Sequence, residues 1–155
     1  MKRISLAIIL FLVGLTFVSA QDVSDVIAGS GALTAEGDGT IALNGSGEVT
    51  ITGQGNLFIV DRTHTASINI ESEQQLFYRE HKLRDNKVFS YNRFDGTATV
   101  AGDDIAIVMD GTNIQMSVSG TMMILLMGDG VYTMNDHTTD LTSDGTTISL
   151  NFEDD

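Results

Sequence analysis

The side chains with which this chain could do chemistry are three histidines and 21 acidic residues; it has no cysteine. His64, His81 and His137 are far apart and fit no HExxH or comparable zinc spacing. The run Asn135-Asp136-His137-Thr138-Thr139-Asp140, with Asp144 beyond it, is rich in the oxygen ligands that calcium takes. It lacks the EF-hand order, and the glycine repeats lack the order of calcium β-rolls. Weak calcium binding at acidic loops, with Asp38, Asp103, Asp104, Asp110 and Asp129 at expected loop ends, is therefore the most that metal chemistry offers, and no resident cofactor is expected. Paired carboxylates can hydrolyse glycosides, but nothing here brings a chosen pair together. There is no Gly-x-Ser-x-Gly elbow. The Gly-x-Gly motifs recur between short strands, with no helix following, so they are not dinucleotide fingerprints. The expectation is a protein that is not an enzyme.

Those residues are carried by a repeat of period eight. Gly-x-Gly occurs at Gly29/Gly31, Gly37/Gly39, Gly45/Gly47 and Gly53/Gly55. Between the pairs, apolar residues alternate: Leu33 and Ala35, Ile41 and Leu43, Val49 and Ile51, Leu57 and Ile59. Alternation at period two is a strand with one buried face. Pairing Ala35 with Ile41 and Leu33 with Leu43 centres a chain reversal on Asp38, and the same arithmetic centres reversals on Ser46 and Gln54. Each Gly-x-Gly thus predicts a three-residue hairpin loop, with Gly supplying positive φ. Downstream, Gly102-Asp103, Asp110-Gly111, Ser119-Gly120 and Gly128-Asp129-Gly130 predict further hairpins. A last strand runs through Ile148, Leu150 and Phe152. Thr121 to Met127 is apolar on both faces and predicts a strand covered on both sides.

The expected fold is all-β: an antiparallel meander of short Gly-bounded hairpins forming a sandwich or an open barrel-like stack. A β-solenoid is the alternative, because a period of eight keeps side-chain parity from coil to coil. The loop spacing drifts from eight to nine in the second half, which favours the meander. The expected core is Leu33, Ile41, Leu43, Val49, Ile51, Leu57, Ile59, Val100, Ile105, Ile107, Ile114, Met116, Leu125 and Ile148.

Residues 1–20 read as a secretory signal peptide: Lys2 and Arg3, an apolar stretch over Ile4 to Val18, and Val18-Ser19-Ala20 before the cut. A retained anchor is the alternative, but a span takes ~20 apolar residues. Residues 21–155 are then one all-β domain, secreted to the exterior or the cell envelope, with a basic, aromatic insertion at about 62–94. It keeps 6 basic against 21 acidic residues, a net charge of −15, which argues against nucleic acid as a partner. No membrane span is expected in this mature part. All six basic residues, Arg62, Arg79, Lys82, Arg84, Lys87 and Arg93, fall in the insertion. That segment predicts a long hairpin with Arg84-Asp85-Asn86 at its tip; a short helix over 74–83 is the alternative. Asn44-Gly45-Ser46 is a glycosylation sequon at an expected hairpin tip, marking Asn44 as a candidate site.

The blocks GSGALTAEGDGTIALNGSGEVTITGQGNLFIVD and FDGTATVAGDDIAIVMDGTNIQMSVSGTMMILLMGDGVYTM resemble secreted glycine-rich octad-repeat β-proteins of archaea and bacteria, mostly uncharacterised. The composition is also similar to that of the major sheath proteins of filamentous methanogens. That similarity implies a structural role and self-assembly through strand edges, though without disulfides, and it brings no catalytic residues. The charge distribution agrees: a basic segment on an otherwise acidic molecule lets copies meet head to tail as a homo-oligomer or polymer. The expected function is a secreted structural protein of the cell surface or sheath, self-associating through strand edges and contacts from the six basic residues to acidic surface. The alternative is an extracellular module binding a surface polysaccharide or envelope protein through an aromatic platform of Tyr78, Phe89 and Tyr91.

Overall fold

A computed structural model describes residues 26–75 and 77–151. Seven strands make up the fold: β1 (Val26–Ser30), β2 (Leu33–Asp61), β3 (Ser67–Glu71), β4 (Phe77–Leu83), β5 (Asn86–Met134), β6 (His137–Asp140) and β7 (Thr146–Asn151). The described residues contain no helix, so the chain is all-β, as its alternation predicts. The strands form one open, mixed sheet in the order β1-β7-β5-β2, with β3, β4 and β6 each paired to β5. Only β1 and β7 run parallel; the other pairings are antiparallel. The expected signal peptide and Phe152 lie outside the described residues.

Most residues of β2 have two partners in β5. Leu33 faces Val118 and Met134, Ile41 faces Met109 and Leu126, Val49 faces Val100 and Val118, and Leu57 faces Tyr91 and Met109. The two partners of one residue are thus sixteen to eighteen residues apart along β5. An extended chain covers roughly 55 Å in that number of residues, whereas strands flanking a common neighbour lie only ~9.5 Å apart. Between its two contacts, β5 must therefore go once around. The two strands wind together as an antiparallel ribbon whose successive turns are hydrogen-bonded.

This winding replaces the expected hairpins. Gly37 faces Ile114 and Gly130, and Gly39 faces Gly111 and Gly128, so Gly37-Asp38-Gly39 lies inside one continuous strand. The same holds at Ser46 and Gln54, and at the four sites downstream within β5. An octad is half a turn of the ribbon, the stacked-coil arrangement that the period also allowed. Glycine is required at these bends by the strand alongside. A Cβ on Gly37 would lie 2.2 Å from the Asp129 carbonyl oxygen, and one on Gly39 2.1 Å from that of Met127.

Each half-turn contributes to one of two layers. One holds, in order, β4, 86–92, 57–61, 105–109, 41–45, 122–126, β7 and β1. The other holds β3, 97–101, 48–52, 114–118, 33–36, 131–134 and β6. Residues from both layers share one buried core that includes Leu33, Leu43, Val49, Ile51, Leu57, Ile59, Ile105, Ile107, Ile124 and Ile148. Thirteen of the fourteen expected core residues lie in it; Leu125 does not. Leu125 instead borders a second cluster of Ala42, Phe58, Val60, Val88, Ala106 and Val108 on the opposite side of the first layer. The strand expected to be covered on both sides is not: Met122, Ile124 and Leu126 are buried, but Met123 and Met127 are exposed.

β5 gains one residue relative to β2 at three bends. Arg93, Asp104 and Asn113 stand there with φ of 56°, 50° and 52°. Asn56 and Gly55 pair with Asn92 and Phe94, leaving Arg93 between them. Ser46 alone stands opposite Asp103 and Asp104, and Asp38 alone opposite Thr112 and Asn113. These are β-bulges, and each switches which parity of residue faces the core. The middle residue of Gly-x-Gly holds two of them: Asp104 N donates to Ser46 Oγ at 3.2 Å, and Asn113 N to Asp38 Oδ1 at 2.7 Å.

Candidate functional site

Among the described residues, the winding leaves an open end on either side. β4 and β3 are the outermost strands at one end of the two layers, and β1 and β6 at the other. An edge strand presents unpaired N–H and C=O groups to any chain that can extend the sheet.

The β4 end is basic. β4 and the start of β5 form the expected long hairpin, with Leu83 facing Asn86 and Arg84 in the turn at φ 58°. A strand occupies the place of the alternative helix. All seven residues of β4 are exposed. The hairpin gathers five of the six predicted basic residues: Arg79 and Lys82 on β4, Arg84 in the turn, Lys87 opposite Lys82, and Arg93 at the bulge. Like charges facing at Lys82 and Lys87 repel, and an acidic surface would relieve them. The sixth, Arg62, is held within the subunit. Its Nη1 donates to Asp104 Oδ1 at 2.7 Å and to Asn44 Oδ1 at 2.9 Å. His64 Nε2 donates to the Asp85 carbonyl at 2.6 Å and ties the turn to the β2–β3 connection.

The aromatic residues meet on the core side of the same hairpin. The Tyr78 ring lies 5.2 Å from that of Tyr91 and 6.3 Å from that of Phe89, and Tyr91 meets Phe94 edge-on at 6.4 Å. They do not form an exposed three-ring platform. Tyr91 is 6% exposed and Phe89 is half-buried, whereas Tyr78 is 45% and Phe77 56% exposed. The Arg93 guanidinium sits over the Phe77 ring, 5.7 Å from its centre. Tyr78 donates to Glu80 Oε2 at 2.9 Å. Desolvation against the neighbouring rings, the bond to Glu80 and that carboxylate's charge push the Tyr78 phenol up to about 12. Burial and the same carboxylate raise Tyr91. Phe77, Tyr78 and Leu83 therefore leave an apolar margin on an uncapped sheet end, where repeat stacks normally need a polar cap.

The opposite end is acidic. Asp136 and Asp140 lie at and on β6, which is exposed throughout, and Asp144 lies in the connection to β7. Among the described residues no group of three or more His, Asp or Glu side chains is placed to hold a metal ion, and the calcium-like run 135–140 is a turn and an edge strand. No helix of the described residues is long and apolar enough to cross a membrane.

Asn44 is not at a hairpin tip. It lies mid-strand between Ala106 and Met123, half-buried, with its amide oxygen accepting from Arg62. Sequence reasoning did not single out the outer face of the second layer, where threonines from β2, β5 and β6 come side by side. The available signal was the Thr-x-Thr spacing at 50–52 and 97–99. Compared with known protein families, curated proteins and solved structures, the chain matches none.

Proposed function

We propose that this is a secreted structural protein of the cell surface, non-catalytic, whose copies join end to end. The β4–β3 end of one copy would meet the β1–β6 end of the next with β4 against β6 and β3 against β1, so that each layer runs on into the other layer of the next copy. The observation that carries this reading is the opposite charge of the β4 hairpin and the β6 edge: Arg79, Lys82, Arg84 and Lys87 outnumber Glu80 and Asp85 on the hairpin, and Asp136, Asp140 and Asp144 stand at the other end. Basic-to-acidic contact is heterologous, so it propagates instead of closing. Edge strands supply the backbone pairing, and the exposed rings of Phe77 and Tyr78 supply apolar area. The resemblance to secreted octad-repeat and sheath proteins supports the same role. A second reading, an extracellular module for a surface polysaccharide or envelope protein, draws on those two exposed rings.

The test is mass by light scattering across concentration, with and without calcium, and electron microscopy of the same samples. Filaments or sheets are expected, and R79E/K82E/R84E should abolish them while leaving a folded monomer. A strict monomer under all conditions overturns the assembly; polymers unchanged in the triple variant overturn its electrostatic part.

A further inference from the structure

The outer face of the second layer carries an unbroken row of hydroxyls. Thr99 faces Thr50, Thr50 faces Ser117, Ser117 faces Thr34, Thr34 faces Thr133, and Thr133 faces Thr138. Six neighbouring strand segments each contribute one hydroxyl. The intervening residues Ala98, Ile51, Met116, Ala35 and Tyr132 point the other way into the core, so register holds the row outward. Within it, the Thr50 and Thr99 hydroxyls lie 3.5 Å apart and those of Thr133 and Thr138 2.8 Å apart. A parallel row two residues along begins with Thr52 and Thr97, 2.8 Å apart, and continues through Gln115 and Glu36. Thr34, Ser117 and Thr138 are exposed, and a shallow concavity of about 580 Å³ lies over the first row from Thr50 to Thr138 and over Thr52, Gln115 and Glu36 of the second.

We infer that this face binds an extended, uncharged polysaccharide laid across the strands. Hydroxyls both donate and accept, which suits a polyhydroxylated ligand. The concavity is lined by Glu36 and by no Lys or Arg, which turns anionic ligands away. The row repeats with the strand spacing of ~4.8 Å over six strand segments, roughly 24 Å in all. Neighbouring sugars of an extended β-1,4-linked glycan face opposite ways, so alternate sugars present the same edge and can meet alternate hydroxyls of the row. The site is separate from the basic hairpin, so it stands or falls independently of end-to-end assembly.

The experiment is calorimetric titration of the full chain with β-1,4-linked gluco-oligosaccharides and N-acetylglucosamine oligosaccharides of two to six sugars. Affinity should rise with each added sugar. T34V/T50V keeps side-chain shape but removes two central hydroxyls, and should weaken the longest ligand by at least about tenfold, the loss of two ordinary hydrogen bonds. Unchanged circular dichroism and thermal midpoint would show that this variant folds. Y78A, on the other layer, should bind as the parent does. Absence of binding in both series, affinity independent of length, or a loss confined to Y78A would overturn the proposal.

Discussion

Gly39→Ala should destabilise the protein severely, for a reason that lies 89 residues away in the chain. The new Cβ would sit 2.1 Å from the Met127 carbonyl oxygen and 2.9 Å from Gly128 Cα, on a residue whose φ is +143°. Both obstacles are backbone in a hydrogen-bonded neighbour, so no side chain can swing aside. Holding an alanine in a sparsely populated backbone region costs ~1–3 kcal/mol, and overpacking costs ~1–3 kcal/mol more. The total of ~2–6 kcal/mol is a large part of the ~5–15 kcal/mol that stabilises a domain. Gly53→Ala is the control. It needs no unusual φ, and its nearest neighbours are Ile114 Cα and Cε at the end of the unbranched Met109 side chain, both at 3.2 Å, so it should cost less than ~2 kcal/mol. Urea unfolding reads both as shifts in midpoint at constant slope. The second half of the test is Gly128→Ala, whose Cβ would meet the Asp38 carbonyl and Gly39 Cα from the opposite side. Once one Cβ has pushed the strands apart, the second costs less, so the double variant should fall short of the sum by ~0.5–3 kcal/mol. In a hairpin closed at Asp38, residues 39 and 128 would share no contact and their effects would add. A Gly39→Ala cost below ~0.5 kcal/mol, or strict additivity with Gly128→Ala, would refute the wound ribbon.

Two further outcomes follow from the side chains around the ends and bends. Arg62→Ala removes the bonds to Asp104 and Asn44, and should cost ~1–2 kcal/mol in urea unfolding, the modest figure reflecting the exposure of Asp104. It should leave the light-scattering profile unchanged, because this guanidinium is already engaged within its own subunit. The Tyr78 phenol, at about 12 against an ordinary 10.0, is held neutral by the folded state, so its contribution to stability is complete below pH 10 and is lost as pH rises through 12. The ultraviolet difference titration between parent and Tyr78→Phe should show this late phenolate, and Glu80→Gln should move it down; titration at 10 in the parent would contradict the packing of that ring.

The strands and their buried faces were legible because parity is a local property. Leu33, Ile41, Val49 and Leu57 recur at intervals of eight, an even number, and so face one side whether the chain reverses at each glycine pair or runs straight on. The same evenness concealed the topology. Any centre placed on Asp38, Ser46 or Gln54 pairs apolar with apolar, so the hairpin sums are satisfied by a ribbon that forms no such hairpin. The basic hairpin was legible for the opposite reason. Its strands are joined by a two-residue turn, and Lys82 meets Lys87 through a local reversal. The bond from Arg62 to Asn44 was not legible because it needs two half-turns of β2 to lie in one layer with Asp104 between their rows, and no local pattern carries that. The discriminating signal was present in the drift from eight to nine. A meander has no need of an extra residue at each bend. In the wound pair β5 lengthens by one residue at Arg93, Asp104 and Asn113 while β2 keeps its strict octad, and where β2 passes Asp129 and Thr121 the two strands bend together one residue for one. Uneven spacing confined to one of two antiparallel glycine-rich arrays, with an Asx or basic residue at each excess position, is therefore the mark of coiling rather than of folding back.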